Sequence, residues 1–139
     1  MTWQRALIAL SVVVILVVFA PRVTERVYEI RSAHAIEAAE KVAIAVEDIW
    51  ERGAPLVEPG EELQFFSAGM GDFLALGADA DAPKPGDYLD ERDLFSVEEL
   101  NLYGAGPEEY LLTMRFRNAY GRYTACEITP DGIRWVGGG

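Results

Sequence analysis

Residues Ala6 to Pro21 carry no charge across sixteen positions, are bounded by Arg5 and Arg22, and lead into a helical pattern that runs to Trp50. A helix from residue 6 to residue 52 would be about 70 Å long at 1.5 Å per residue. Its first third is apolar all round and the remainder amphipathic. The chain therefore divides into an apolar helix over residues 1–22, an amphipathic half of the same helix over 23–53 and a small globular head over 54–139.

Three readings of the uncharged run stand side by side. As a signal peptide it has a short charged region at Arg5, an apolar run from Ala6 to Ala20 and small or branched residues at Val18 and Ala20, although Pro21 directly after that point disfavours cleavage. As a membrane span it is slightly short of the usual length, with Arg5 and Arg22 placed to snorkel and Trp3 to sit at the interface. As the core of a helical filament, it would first wait in the membrane and then pack against copies of itself. Pro21 removes a backbone hydrogen bond and predicts a kink.

Beyond Pro21, Val23, Val27, Ile30, His34, Ala38 and Val42 recur at helical steps. A second stripe of Ile36, Ala39, Ala43, Val46 and Trp50 joins them, widening the apolar face towards the head. Glu37 and Lys41 stand at the favourable i, i+4 spacing. Arg52 followed by Gly53 and Pro55 predicts the C-terminal cap.

Glycine and proline break up residues 54–86, where only Leu63 to Phe66 and Phe73 to Leu76 are apolar enough to lie on the helix. This predicts an irregular connection with one or two short strands. Ser96-Val-Glu-Glu99 has capping-box spacing and predicts a short helix to about Leu102. Tyr110, Leu112, Met114 and Phe116 alternate with wetter neighbours as a strand does. Turns at Tyr120-Gly121 and Pro130-Asp131-Gly132 then yield two further strands, Arg122 to Thr129 and Ile133 to Val136, and so a three-stranded antiparallel meander. The expected class is α+β, one long N-terminal helix packed on that small meander.

Charge and composition exclude several functions. The net charge is −11, and residues 54–139 hold 16 Asp/Glu against 6 Lys/Arg. Such a surface repels phosphate backbones, so nucleic acid is not an expected partner. Cys126 is the one cysteine and His34 the one histidine, too few for a nucleophilic dyad or a zinc site. Cys126 is read as a small buried apolar residue and His34 as a packed imidazole. Phe65, Phe66, Tyr88 and Tyr103 are candidates for core packing or subunit contacts. No catalytic residue and no cofactor is expected, and the expected role is not enzymatic. Asp79, Asp81 and Asp87 offer oxygen ligands of the type calcium takes, at a spacing that matches no calcium loop.

This order of parts resembles the type IV pilin and pseudopilin superfamily. The resemblance covers nearly the whole chain: an apolar half-helix, Pro21 near its end, an amphipathic half-helix, a variable loop and a meander ending in Asp131-Gly132-Ile133-Arg134-Trp135. It implies a structural subunit of a pilus-like or pseudopilus-like extracellular filament, held in the inner membrane before assembly. Its partners would be copies of itself or other pilin-like subunits and the pilus assembly machinery. It also implies that Ala6, Leu7, Leu10, Val13, Val14, Val17 and Phe19 pack in the filament core. The chain departs from the family at Arg5, where a glutamate is usual, and shows no basic leader; Arg5 becomes a candidate inter-subunit charge. The alternative is a single-pass or signal-peptide-exported periplasmic binding module that does not polymerise.

Overall fold

A computed structural model describes residues 30–106, 109–117, 119 and 121–137. Helix α1, residues 30–51, is the one long helix among them. Ser32, Ala35, Ala38, Ala39, Val42, Ala45, Val46, Ile49 and Trp50 are buried along it, a stripe at three- and four-residue steps that is rich in alanine. Small side chains let the helix axis lie close to whatever it covers. The expected Glu37–Lys41 pair forms at 3.2 Å. The C-terminal cap is also as expected, with Gly53 at φ 73° and its N–H donating to the Trp50 carbonyl.

Five strands follow: β1 (Glu61–Phe66), β2 (Val97–Gly106), β3 (Glu109–Phe116), β4 (Ala125–Thr129) and β5 (Gly132–Val136). They form one antiparallel sheet in chain order, each strand beside its sequence neighbours. Between β1 and β2 lies an excursion containing the one-turn helix α2 (Met70–Leu74) and three 3-10 turns. Phe73, Pro85, Leu89 and Leu94 bury themselves and tie this excursion to the unit's core.

The expected fold class is corrected here. The described residues are mostly β, with a five-stranded sheet where a three-stranded meander was expected. The expected apolar half-helix, residues 1–22, lies outside the described residues. Among the described residues no helix is long and apolar enough to cross a membrane.

Of the two further strands, β1 covers Leu63 to Phe66, where a short strand was expected, and β2 comes from a segment that local pattern misassigned. Val97 to Leu102 is the start of β2 rather than a short helix. Leu100 and Leu102 alternate inward, and β2 hydrogen-bonds to β1 on one side and to β3 on the other. Those two ladders outweigh the capping-box spacing, while a register shift between Val97 and Glu99 absorbs the broken alternation. A real capping box sits a few residues earlier: Asp90 accepts from the Arg92 and Asp93 amides, and Asp93 accepts from that of Asp90. Phe73 and Leu74 lie in α2, not in a strand.

One face of the sheet joins α1 in a single core. Leu100, Leu102, Leu112, Met114, Cys126 and Ile128 belong to the same buried cluster as the α1 stripe. Cross-strand register places Gln64, Asn101, Thr113, Glu127 and Arg134 in a row on the opposite face. That face is polar and satisfied: Glu99 receives Gln64 and Arg115, and Arg134 pairs with Glu127. The chain separates into compact units Met1–Ile30 and Arg31–Gly139, and the fold described is that of the second.

Candidate functional site

The second unit differs sharply between the two ends of α1. At the C-terminal end, Trp50 stacks on Tyr110 with ring centroids 5.5 Å apart and planes 2° from parallel. Gly104 sits beneath them. A Cβ there would lie 2.7 Å from Val57 Cγ2 and 3.2 Å from Trp50 Cη2, so the absence of a side chain is what allows helix, loop and sheet to close together. The Gly104 carbonyl also accepts the Gly60 amide at 2.8 Å, bringing the turn before β1 to the same place.

Along the middle and last turns of α1, polar clips are added to the packing. Lys41 Nζ reaches Asp93 Oδ1 at 2.6 Å as well as Glu37. Asp48 accepts the Tyr88 hydroxyl and pairs with Arg52. These contacts fasten the β1–β2 excursion to α1. Charge follows geometry: the Lys41 ammonium, bonded first to Asp93 and then to Glu37, is held above its ordinary pKa, and the Asp93 carboxyl below its own, chiefly by Lys41 and then by the Asp90 amide.

Phe95 projects beyond this clip with 62% of its surface exposed, its ring edge-on to His34 at 5.4 Å. It divides two clefts. One, about 370 Å³, runs from Ser67 and Met70 to Glu91 and Arg117. The other, about 190 Å³, lies between His34 and Lys41 on α1 and Arg92 on the excursion. Arg92 and Arg117 make no ion pair among the described residues. An exposed aromatic ring between unpaired guanidinium groups is the composition of a macromolecular contact.

The sequence-derived candidates distribute as follows. Arg5, Ala6, Leu7, Leu10, Val13, Val14, Val17, Phe19 and Pro21 lie outside the described residues. Asp79, Asp81 and Asp87 are in the excursion but do not converge: Asp79 accepts the Asp81 amide and Asp87 that of Lys84. Among the described residues no three acidic, histidine or cysteine side chains are grouped to hold a metal ion. Those aspartates act locally, as turn and cap residues. His34 is exposed rather than packed in the core stripe, and Ala35 takes the inward position. Cys126 is buried beneath the sheet, where burial pushes its thiol up to about 12. Phe65 leans on Phe73, while Phe66 and Tyr103 are exposed.

Phe95 was not singled out from sequence. Leu94 and Phe95 are adjacent apolar residues beside a capped turn, and two neighbours in a 3-10 turn cannot both face inward. That was the available signal.

Comparison with known proteins finds no family model that matches the chain, no matching curated protein and no matching solved structure. The assignment of a role rests on the residues themselves.

Proposed function

We propose that this chain is a non-catalytic structural subunit of a pilus-like or pseudopilus-like extracellular filament, polymerising through residues 1–22 and displaying the acidic unit outside. The observation that carries this reading is the uncharged run Ala6 to Pro21 placed ahead of a continuous amphipathic helical pattern. The described part of that pattern is α1, whose buried stripe shares a core cluster with its own sheet. Before assembly the run would rest in the inner membrane, and assembly machinery would extract it.

Arg5 favours the second reading, a membrane-anchored module that does not polymerise. A cation inside an apolar bundle costs several kcal/mol unless an anion meets it. In the filament reading Arg5 pairs with an acidic group on another chain. Mass spectrometry of the native N-terminus combined with negative-stain imaging of sheared surface material separates the two. Retention of residues 1–22 in filaments that contain the chain is expected. Loss of that segment, or a chain that stays monomeric in membrane extracts, rejects the filament. Arg5→Glu is expected to lower incorporation without unfolding the second unit, and unchanged incorporation would remove the charge-pairing role.

A further inference from the structure

We infer that the Phe95 end of one copy receives the carboxylate-rich end of a second copy in a head-to-tail contact. The inference rests on the self-assembling role proposed above and specifies one surface through which the displayed units meet.

The carboxylate end is organised by Gly104. Across the sheet Gly104 is paired with Glu61 and with Tyr110, and it packs under Trp50 and Val57. The last turns of α1 and the start of β1 therefore converge. Glu47, Glu51, Glu58, Glu61 and Glu62 are all exposed there, and none has an ion-pair partner among the described residues. Glu47 and Glu51 stand in the last turns of α1, where the negative end of the helix dipole disfavours anions. Arg52 is the nearby helix cation, and Asp48 already holds it. The free subunit thus gathers negative charge at a place its own fold does not neutralise.

At the other end Arg92 and Arg117 flank the exposed Phe95 ring, one in each cleft. Lys41 is committed to Glu37 and Asp93. Glu91 is the carboxylate lining the larger cleft that makes no ion pair, so two unengaged guanidinium groups face one unengaged carboxylate. Guanidinium forks suit carboxylate ligands, and an aromatic ring between them supplies the area that must be covered. Within one copy neither guanidinium pairs with any of these carboxylates. The match is between different patches on two copies. Such heterologous contacts do not close on themselves as isologous dimers do, and repeat along an open assembly.

The test uses the full-length chain under conditions where it self-associates. Arg92→Lys and Arg117→Lys keep the positive charge and supply amines that a zero-length carbodiimide joins to carboxylates. In a mixture of light and nitrogen-15-labelled copies, hybrid peptides should link position 92 or 117 to Glu58, Glu61 or Glu62. R92E/R117E and E58K/E61K should each lower assembly about tenfold, and the chain reversed at all four positions should regain it. Circular dichroism checks that these exposed changes leave the fold intact.

Wild-type assembly in both reversed chains, with no hybrid peptide, overturns this contact and leaves the filament reading standing. A chain that never self-associates removes both. A blue-shifted emission from a polarity-sensitive maleimide dye attached to F95C/C126A on anionic vesicles, without such a shift on self-association, makes this end a lipid-facing surface and overturns the contact between copies.

Discussion

Two regions of α1 are fastened to the rest of the unit by different physics. Near residue 50 the joint is apolar and close-packed: Trp50 is 4% exposed, Tyr110 6%, and Gly104 leaves no room for a methyl group. Near residue 41, where Ala38 and Val42 pack inward, the joint to the β1–β2 excursion is an ion pair between partly exposed groups, Lys41 and Asp93, beside a phenylalanine that the fold leaves uncovered. Packed joints fix geometry and lose much when a side chain is removed; exposed ion pairs contribute little to global stability and hold local position. The comparison teaches that the two ends offer a partner opposite groups: an uncovered aromatic ring beside unpaired guanidinium groups at the second, unpaired carboxylates at the first.

Paired truncations break this contrast most directly. Trp50→Ala should cost about 3–5 kcal/mol in urea unfolding of the full chain. Phe95→Ala should change stability by less than about 0.5 kcal/mol. Equal losses at the two sites would show that Phe95 is part of the core and would erase the distinction.

Adding rather than deleting atoms sharpens the same point. Gly104→Ala should destabilise by about 1–3 kcal/mol, because its new Cβ would stand 2.7 Å from Val57 Cγ2. Val57→Ala in the same chain should return part of that loss, since it removes the opposing methyl. Strict additivity of the two changes in a double-mutant cycle would assign the cost to something other than this contact.

How much of this was legible beforehand follows from the range of each interaction. The end of α1, the Glu37–Lys41 pair and strands β3 to β5 were readable because capping, i, i+4 spacing and period-two alternation are local. β2 was not, because its strand state depends on pairing with β1, dozens of residues away, as well as with β3. A capping-box spacing at Ser96 to Glu99 gave the wrong local answer. The interaction surface was less legible still. Whether Leu94 or Phe95 turns inward depends on how the excursion is clipped to α1, through Lys41 to Asp93 and Tyr88 to Asp48. Those residue pairs are 52 and 40 positions apart, and no short-range pattern announces them.

Titration probes the packed interior and the clip separately. Cys126 carries its proton in the folded state up to about 12, against an ordinary value of 9.0. Below pH 9 both folded and unfolded thiols are protonated, and the contribution is fully present. Between pH 9 and about 12 the unfolded thiol ionises while the buried one does not, so stability falls as pH rises. Tyr110, raised chiefly by burial and then by Glu47 and Glu51, adds to the same alkaline limb. Cys126→Ala should flatten part of that limb in pH-dependent urea midpoints. An unchanged limb would mean the thiol is not desolvated, and rapid alkylation of the folded chain would say the same.

The smallest effect is expected at the clip, with the opposite pH sense. The Asp93 carboxyl is lowered from 3.8 chiefly by the Lys41 hydrogen bond, so its contribution is present above 3.8 and is lost as pH falls through the lower folded value. Both partners are partly exposed, and global unfolding should barely register the loss. Amide exchange should register it: on acidification, amides of residues 90–95 should lose protection before those of β3. Asp93→Asn should bring that loss to neutral pH while the β3 amides keep theirs. Simultaneous loss in both segments would mean that Lys41–Asp93 is part of the global fold, and the two ends of α1 would then be joined by one cooperative structure rather than by two kinds of contact.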